Sequence, residues 1–188
     1  MMQWPLRFRS ALDGDIDAIM ALEQAGFAEG TRESARVFRE RIRVYGDGFL
    51  VAENPDGELK AYLCSELWAW PPRLDAGAFR LGHSIRDRHD DAGQTLYLSS
   101  LTVAPDLRGR GVARQLLDEC LRQATNRRPD LRSAVLLVNA QWAGAINLYR
   151  QAGFRVAASL ARFFSAPDGT GGDGLVMTRA FGIGDRDR

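Results

Sequence analysis

The chain has 188 residues, enough for one domain with a substantial core and too few for two domains to share comfortably. Its 25 basic and 24 acidic residues leave a formal net charge of +1, so no global field would hold it on nucleic acid or an anionic membrane, and any anion site must be local. Cys64 and Cys120 stand far apart with no Cys or His at ligand spacing, which argues against a zinc site and a disulfide framework and leaves reduced, buried thiols.

The opening MMQWPLRFRS lacks the apolar region of a signal peptide, and no later run approaches the roughly 20 apolar residues of a membrane span. The expectation is a cytoplasmic protein with one domain over residues 1–182 and a mobile tail, 183–188. LRFRSAL reads as a short strand. Asp13 stands as N-cap before a helix in which Ile16, Ile19, Met20, Glu23 and Phe27 fall near helical spacing. A second helix has Thr31 as cap, Val37, Phe38, Ile42 and Tyr45 on one face and Gly46 as its stop. Its Arg36, Arg39, Arg41 and Arg43 read as a solvated face interleaved with Glu40.

FLVAE and KAYLCSELWAW flank the turn chemistry of NPDGE and so predict an antiparallel hairpin. The polar stretch from Pro71 to Gln94 is too long for an ordinary connection and reads as a functional loop or a partly ordered insert. His83 and His89 within it read as exposed. TLYLSSLTV is the next strand, followed by a helix with Val112, Leu116, Leu117, Cys120, Leu121 and Ala124 on one side. AVLLV, apolar throughout, reads as a strand covered on both faces and joined to the previous one by a parallel crossover. A helix over roughly Trp142 to Ala152, stopped by Gly153, and two strands, FRVAASLARFFSA and GLVMTRAF, complete the chain.

The stretch VAPDLRGRGVARQLL joins a strand to a helix through a glycine-punctuated loop. Such a loop aims unpaired backbone N–H groups at one point, where the helix dipole also favours negative charge. Arg108, Arg110 and Arg114 stand at its rim. A tight turn with solvated arginines explains the loop alone as well as a phosphate cradle does. It is not spelled as a P-loop, and a dinucleotide fingerprint would need Gly or Ala where Arg114 stands.

The spelling resembles the acyl-CoA signature of the GNAT superfamily of N-acetyltransferases: Arg108, then Gly111, then Ala113. The order of elements is similar to that family's over essentially the whole chain, and AINLYRQAGF resembles its second signature, a helix with a tyrosine shortly before Gly-Phe. The spacing of SELW, a polar insert and a strand ending LTV is similar to the arylalkylamine N-acetyltransferase branch. The resemblance implies an α/β GNAT fold: a mixed central sheet of about seven strands, four main helices, and acyl-CoA at the strand-loop-helix crossover. It implies that the CoA pyrophosphate lies on the backbone of Gly109, Arg110, Gly111, Val112, Ala113 and Arg114, beside Arg108, and that the pantetheine arm runs along Leu101, Thr102 and Val103. The co-substrate would be acetyl-CoA, with no metal. The acceptor would be a primary amine, small rather than polymeric, with a peptide N-terminus as an alternative and no role for nucleic acid or membrane. A monomer and a homodimer both remain open.

Acetyl transfer to an amine needs an unprotonated amine, stabilisation of the oxyanion and a proton for the leaving thiolate. Tyr149 matches the family's tyrosine, the general acid; a half-buried packing residue is the alternative. The positions at which relatives carry a base hold Tyr97 and Ser99, which parity places on one strand face, and neither is a convincing base near neutral pH. A water chain touching Tyr97, Ser99 and Glu66 could carry the proton, and His83 or His89 would serve only if the insert folds over the cleft. Trp68 and Trp70 share a face with Glu66, as core or as an aromatic wall for the acceptor. Trp142 stands where relatives often have asparagine, and Asn139 either replaces that cofactor contact or serves as a helix-entry residue. The rival from another class is a CoA-binding sensor that kept the loop and lost the base.

Overall fold

The computed structural model describes residues 5–164 and 171–182; the tail expected at 183–188 lies outside them. Seven strands form one sheet: β1 (Arg7–Ser10), β2 (Phe49–Glu53), β3 (Leu59–Trp68), β4 (Thr95–Val103), β5 (Ser133–Asn139), β6 (Arg155–Phe164) and β7 (Gly172–Ala180). Their spatial order is β1-β2-β3-β4-β5-β7-β6, and every neighbouring pair is antiparallel except β4 and β5. Four helices cover it: α1 (Ile16–Gly26), α2 (Ala35–Tyr45), α3 (Val112–Arg127) and α4 (Ala143–Gln151). None of the described helices is long and apolar enough to cross a membrane.

Alternation along the strands divides the core between two faces. Leu63, Leu96, Leu98, Leu136 and Val138 pack on one face with Leu116, Leu117 and Leu121 of α3 and Ile146 of α4. On the other, Val51, Tyr62 and Cys64 meet Ile19 of α1 and Phe38 of α2. That second face is completed by the 71–94 segment, whose Ala78 and Phe79 pack on Trp68, Tyr97, Val135 and Val176. AVLLV is thus covered on both sides, as its unbroken apolar run requires.

The helix caps differ from those expected. A single 3-10 turn, Asp13–Asp15, precedes α1; Asp15 accepts from Leu12 N at 2.8 Å and pairs with Arg9, while Asp13 reaches Arg43. Ser34, not Thr31, caps α2, its Oγ accepting from Val37 N at 3.3 Å. Local capping chemistry is available at each of these positions, and packing of the preceding loop decides which one is used.

The α2 arginines are not one solvated face. Arg41 is 1 % exposed and points under the sheet, because at helical spacing it falls on the same inner face as Val37 and Phe38. Trp68 and Trp70 also part company. β3 ends at Trp68, which is buried, and Trp70 lies beyond it at 44 % exposure with Arg132 over its ring.

Candidate active site

β4 pairs with β5 only from Thr95↔Ser133 to Leu98↔Leu136, although the two strands continue to Val103 and Asn139. The backbone edge of β4 from Ser99 to Val103 is therefore unpaired on that side. A bulge marks the parting: Cys64 faces Ser100 and Ser65 faces Leu98, so Ser99 is the extra residue. Leu98 and Leu101 consequently pack into the same core cluster, and Ser99 and Ser100 both turn toward α1 and α2. A cavity of about 930 Å³ fills the gap, lined at one end by the loop before α3 and at the other by Phe79, Arg80, Leu81 and His83.

At the loop end, Gly109 and Gly111 have φ of +73° and +81°, a conformation that favours glycine, and a Cβ added at either would meet open space. Gly111 is the N-cap of α3 and offers no side chain to the amides of the first turn. Exposed N–H groups, a helix N-terminus and room above them fit a diphosphate, and the unpaired β4 edge fits an extended, amide-bearing arm added as a pseudo-strand. Arg108 lines the cavity, but its guanidinium donates to Val103 O at 3.1 Å and Ala25 O at 2.8 Å. Arg114 pairs with Asp118 one turn along α3. The backbone, rather than these side chains, offers the anion site.

The cavity brings together Leu101, Thr102, Val103, Arg108, Gly109, Gly111, Val112, Ala113, Arg114, Tyr97, Ser99, Trp142 and Tyr149. Arg110, Asn139, Glu66 and Trp68 are not among its lining residues. Asn139 is occupied as a helix-entry residue, its Oδ1 accepting from Gln141 N at 2.9 Å. Trp142, at the start of α4, touches Phe27 at 5.9 Å and Phe164 at 5.7 Å between ring centroids, so three elements meet over the cavity mouth. Tyr149 enters from α4, and burial pushes its hydroxyl up to about 12, where it stays protonated through the neutral range.

Tyr97 cannot be a base. Its ring stacks on Trp68 at 4.0 Å between centroids, and burial pushes its hydroxyl well above the ordinary tyrosine value. Ser99 donates to Cys64 O at 3.1 Å and accepts from Arg41 at 3.4 Å, which commits its hydroxyl. Trp68 donates to Glu66 Oε1 at 2.8 Å and is a core residue rather than a cavity wall.

The insert does fold over the cleft, which overturns the reading of its histidines as exposed. The His83 side chain is 8 % exposed, with Nε2 at 2.6 Å from Glu66 Oε1 and Nδ1 at 3.0 Å from Arg80 O. His89 packs on Tyr45 and accepts from Leu67 N, a structural place outside the cavity. Glu23 and Glu33, which also line the cavity, carried no motif and were missed. Glu23 accepts from Glu33 N at 2.7 Å and from the Tyr62 hydroxyl; burial raises its carboxyl. Among the described residues no group of three or more His, Cys, Asp or Glu could hold a metal ion.

A family model described as "Acetyltransferase (GNAT) family" matches residues 16–154, from α1 through the cavity loop to the end of α4. The chain belongs to the GNAT acetyltransferase family. GNAT membership makes it an acetyltransferase with acetyl-CoA as donor. Solved GNAT structures share the fold. The ribosomal-protein-S18-alanine N-acetyltransferase from Escherichia coli is 19 % identical with a TM-score of 0.71, over 95 % of this chain and 96 % of that one. The GNAT-like decarboxylase GphF, in complex with isobutyryl-CoA, is 20 % identical with a TM-score of 0.78, over 93 % and 98 %. The phosphinothricin acetyltransferase from Sinorhizobium meliloti, in complex with AcCoA, is 19 % identical with a TM-score of 0.69, over 94 % and 89 %. No curated protein sequence matches the chain. The GNAT match reaches the family and stops short of the arylalkylamine branch.

Proposed function

We propose that this protein acetylates the primary amine of a small molecule by direct attack within a ternary complex. One observation carries the reading. The unpaired β4 edge leads from the Gly109–Gly111 amides to a cavity end where the 71–94 insert and the α1–α2 connection converge, and Tyr149 lines the same cavity. Acetyl-CoA supplies an activated acyl carbon and a thiolate leaving group. The loop amides from Gly109 to Ala113 bind its diphosphate, and the Leu101–Val103 main chain orients its arm. Tyr149 delivers a proton to the departing sulfur. Trp142 closes the arm from above. Glu66, rather than touching the acceptor, holds His83 and Trp68 from behind the cavity wall. The insert's cover over the acceptor end, through Phe79, Leu81 and His83, favours a compact acceptor over a folded polymer.

The test is thiol release from acetyl-CoA across arylalkylamines, polyamines, amino acids and peptides. Turnover on small amines is the expected result, and turnover on peptides alone would reassign the acceptor. A second reading, a CoA-binding sensor without turnover, draws on Tyr97 and Ser99, neither of which can serve as a base. Acetyl-CoA binding with turnover on no amine would establish it.

A further inference from the structure

We infer that Glu33, on the α1–α2 connection, is the residue that receives the acceptor's ammonium and takes its proton, with Arg41 as the positioning residue that holds it. The inference rests on the acetyltransferase reading above. Glu33 lines the cavity at 7 % exposure. Its Oε1 accepts from Arg41 Nη2 at 3.1 Å and from Gly82 N at 3.3 Å, while Oε2 makes no hydrogen bond to the described residues. The same guanidinium donates through Nη1 to Ser99 Oγ at 3.4 Å, at the bulge where β4 leaves β5. Arg41 thereby ties the carboxylate to the start of the edge along which the donor lies.

Among the neighbouring acids, Glu66 keeps an unpartnered Oε2, but that oxygen is buried and Glu66 does not line the cavity. Both Glu23 oxygens have partners, Glu33 N and the Tyr62 hydroxyl. His83 faces an acceptor with each ring nitrogen, a carbonyl and a carboxylate, which leaves neither nitrogen turned to a substrate.

In the step itself, Glu33 takes one proton from the ammonium and later yields it to water. The nitrogen lone pair forms the C–N bond with the thioester carbonyl carbon, and the C–S bonding pair leaves with sulfur. Tyr149 protonates that sulfur and is reprotonated from solvent, and the nitrogen loses its second proton to solvent as the amide forms.

The test compares acceptors that need deprotonation with one that does not. Wild-type protein and Glu33→Gln are assayed with the best alkylamine of the panel and with hydroxylamine, whose nitrogen is unprotonated at neutral pH. The expected result is a loss of kcat with the alkylamine of about a hundredfold or more, near-wild-type turnover of hydroxylamine, and an unchanged thermal shift with CoA. Equal losses with both acceptors would assign Glu33 a structural role and overturn the inference, as would no loss with either. Wild-type protein that binds CoA and acetylates neither acceptor would overturn the acetyltransferase reading instead. Arg41→Lys is expected to raise the alkylamine KM and lower kcat together while hydroxylamine turnover falls less; equal effects on both acceptors would remove Arg41 from the role.

Discussion

Arg108 Nη2 donates to the carbonyl of Ala25 at 2.8 Å, tying the loop before α3 to the last turn of α1. With Nε on Val103 O, the side chain fastens three elements around the cavity mouth. Arg108→Ala is expected to lower stability by roughly 1–2 kcal/mol, since two charge-assisted bonds at a partly exposed site are lost. Chemical denaturation checks this, and the thermal shift given by CoA should persist because the backbone amides remain.

Gly111→Glu is expected to abolish stabilisation by CoA. The carboxylate would occupy the open space above the loop and repel the diphosphate. A side chain at φ of +81° is itself strained, by about 1–2 kcal/mol. Gly111→Ala carries that strain without the charge and should keep a reduced shift. Scanning calorimetry with and without CoA separates the two effects.

Tyr149→Phe should reduce kcat by about tenfold to a thousandfold while CoA still binds. The hydroxyl, pushed up to about 12 by burial, stays a proton donor through the neutral range, so kcat in the wild type should show no alkaline fall from Tyr149 below about pH 11. Full activity in the variant would leave Tyr149 as packing against Phe154, which its ring meets edge-on.

Phe79→Ala tests the insert as a wall. Phe79 is 3 % exposed against Trp68 and Tyr97, so its truncation should cost about 3–5 kcal/mol. The acceptor KM should rise more than that of acetyl-CoA in steady-state kinetics, because the wall adjoins only the acceptor end.

Stability should fall on the alkaline side. Burial raises Cys64 to about 11 and Cys120 to about 12 from an ordinary 9.0, and Tyr45 to about 12 from 10.0. Each proton is held more tightly in the folded state, so this contribution is complete below about pH 9 and is lost as pH rises toward 12. Urea midpoints measured from pH 7 to 11 should decline; a flat profile would contradict the burial of these groups.

Much of the fold was legible in the chain because local patterns carry it. The apolar face of α3, from Val112 to Ala124, is buried residue for residue as its spacing requires. The NPDGE turn joins β2 to β3 antiparallel, with Gly57 N bonded to Asn54 O. The cavity loop was legible for the same reason, since glycines at a strand-to-helix junction answer a local backbone demand. Helix caps were less secure: serine, threonine and aspartate crowd each start, and only the packed loop chooses among them.

The sequence by itself determined the order of elements, the glycine loop that opens α3 and the tyrosine on α4, each set by contacts within a few residues of chain. Tertiary structure alone decided what faces the acceptor. A bulge at Ser99 exists only in pairing with β3, and the insert meets Trp68 and Tyr97 only once the sheet has formed. Arg41 and Glu33 come together with Ser99 only when α2 packs beneath β4, across 58 residues of chain. Buried charges must find partners, and which partners they find depends on packing at long range, which no local pattern encodes.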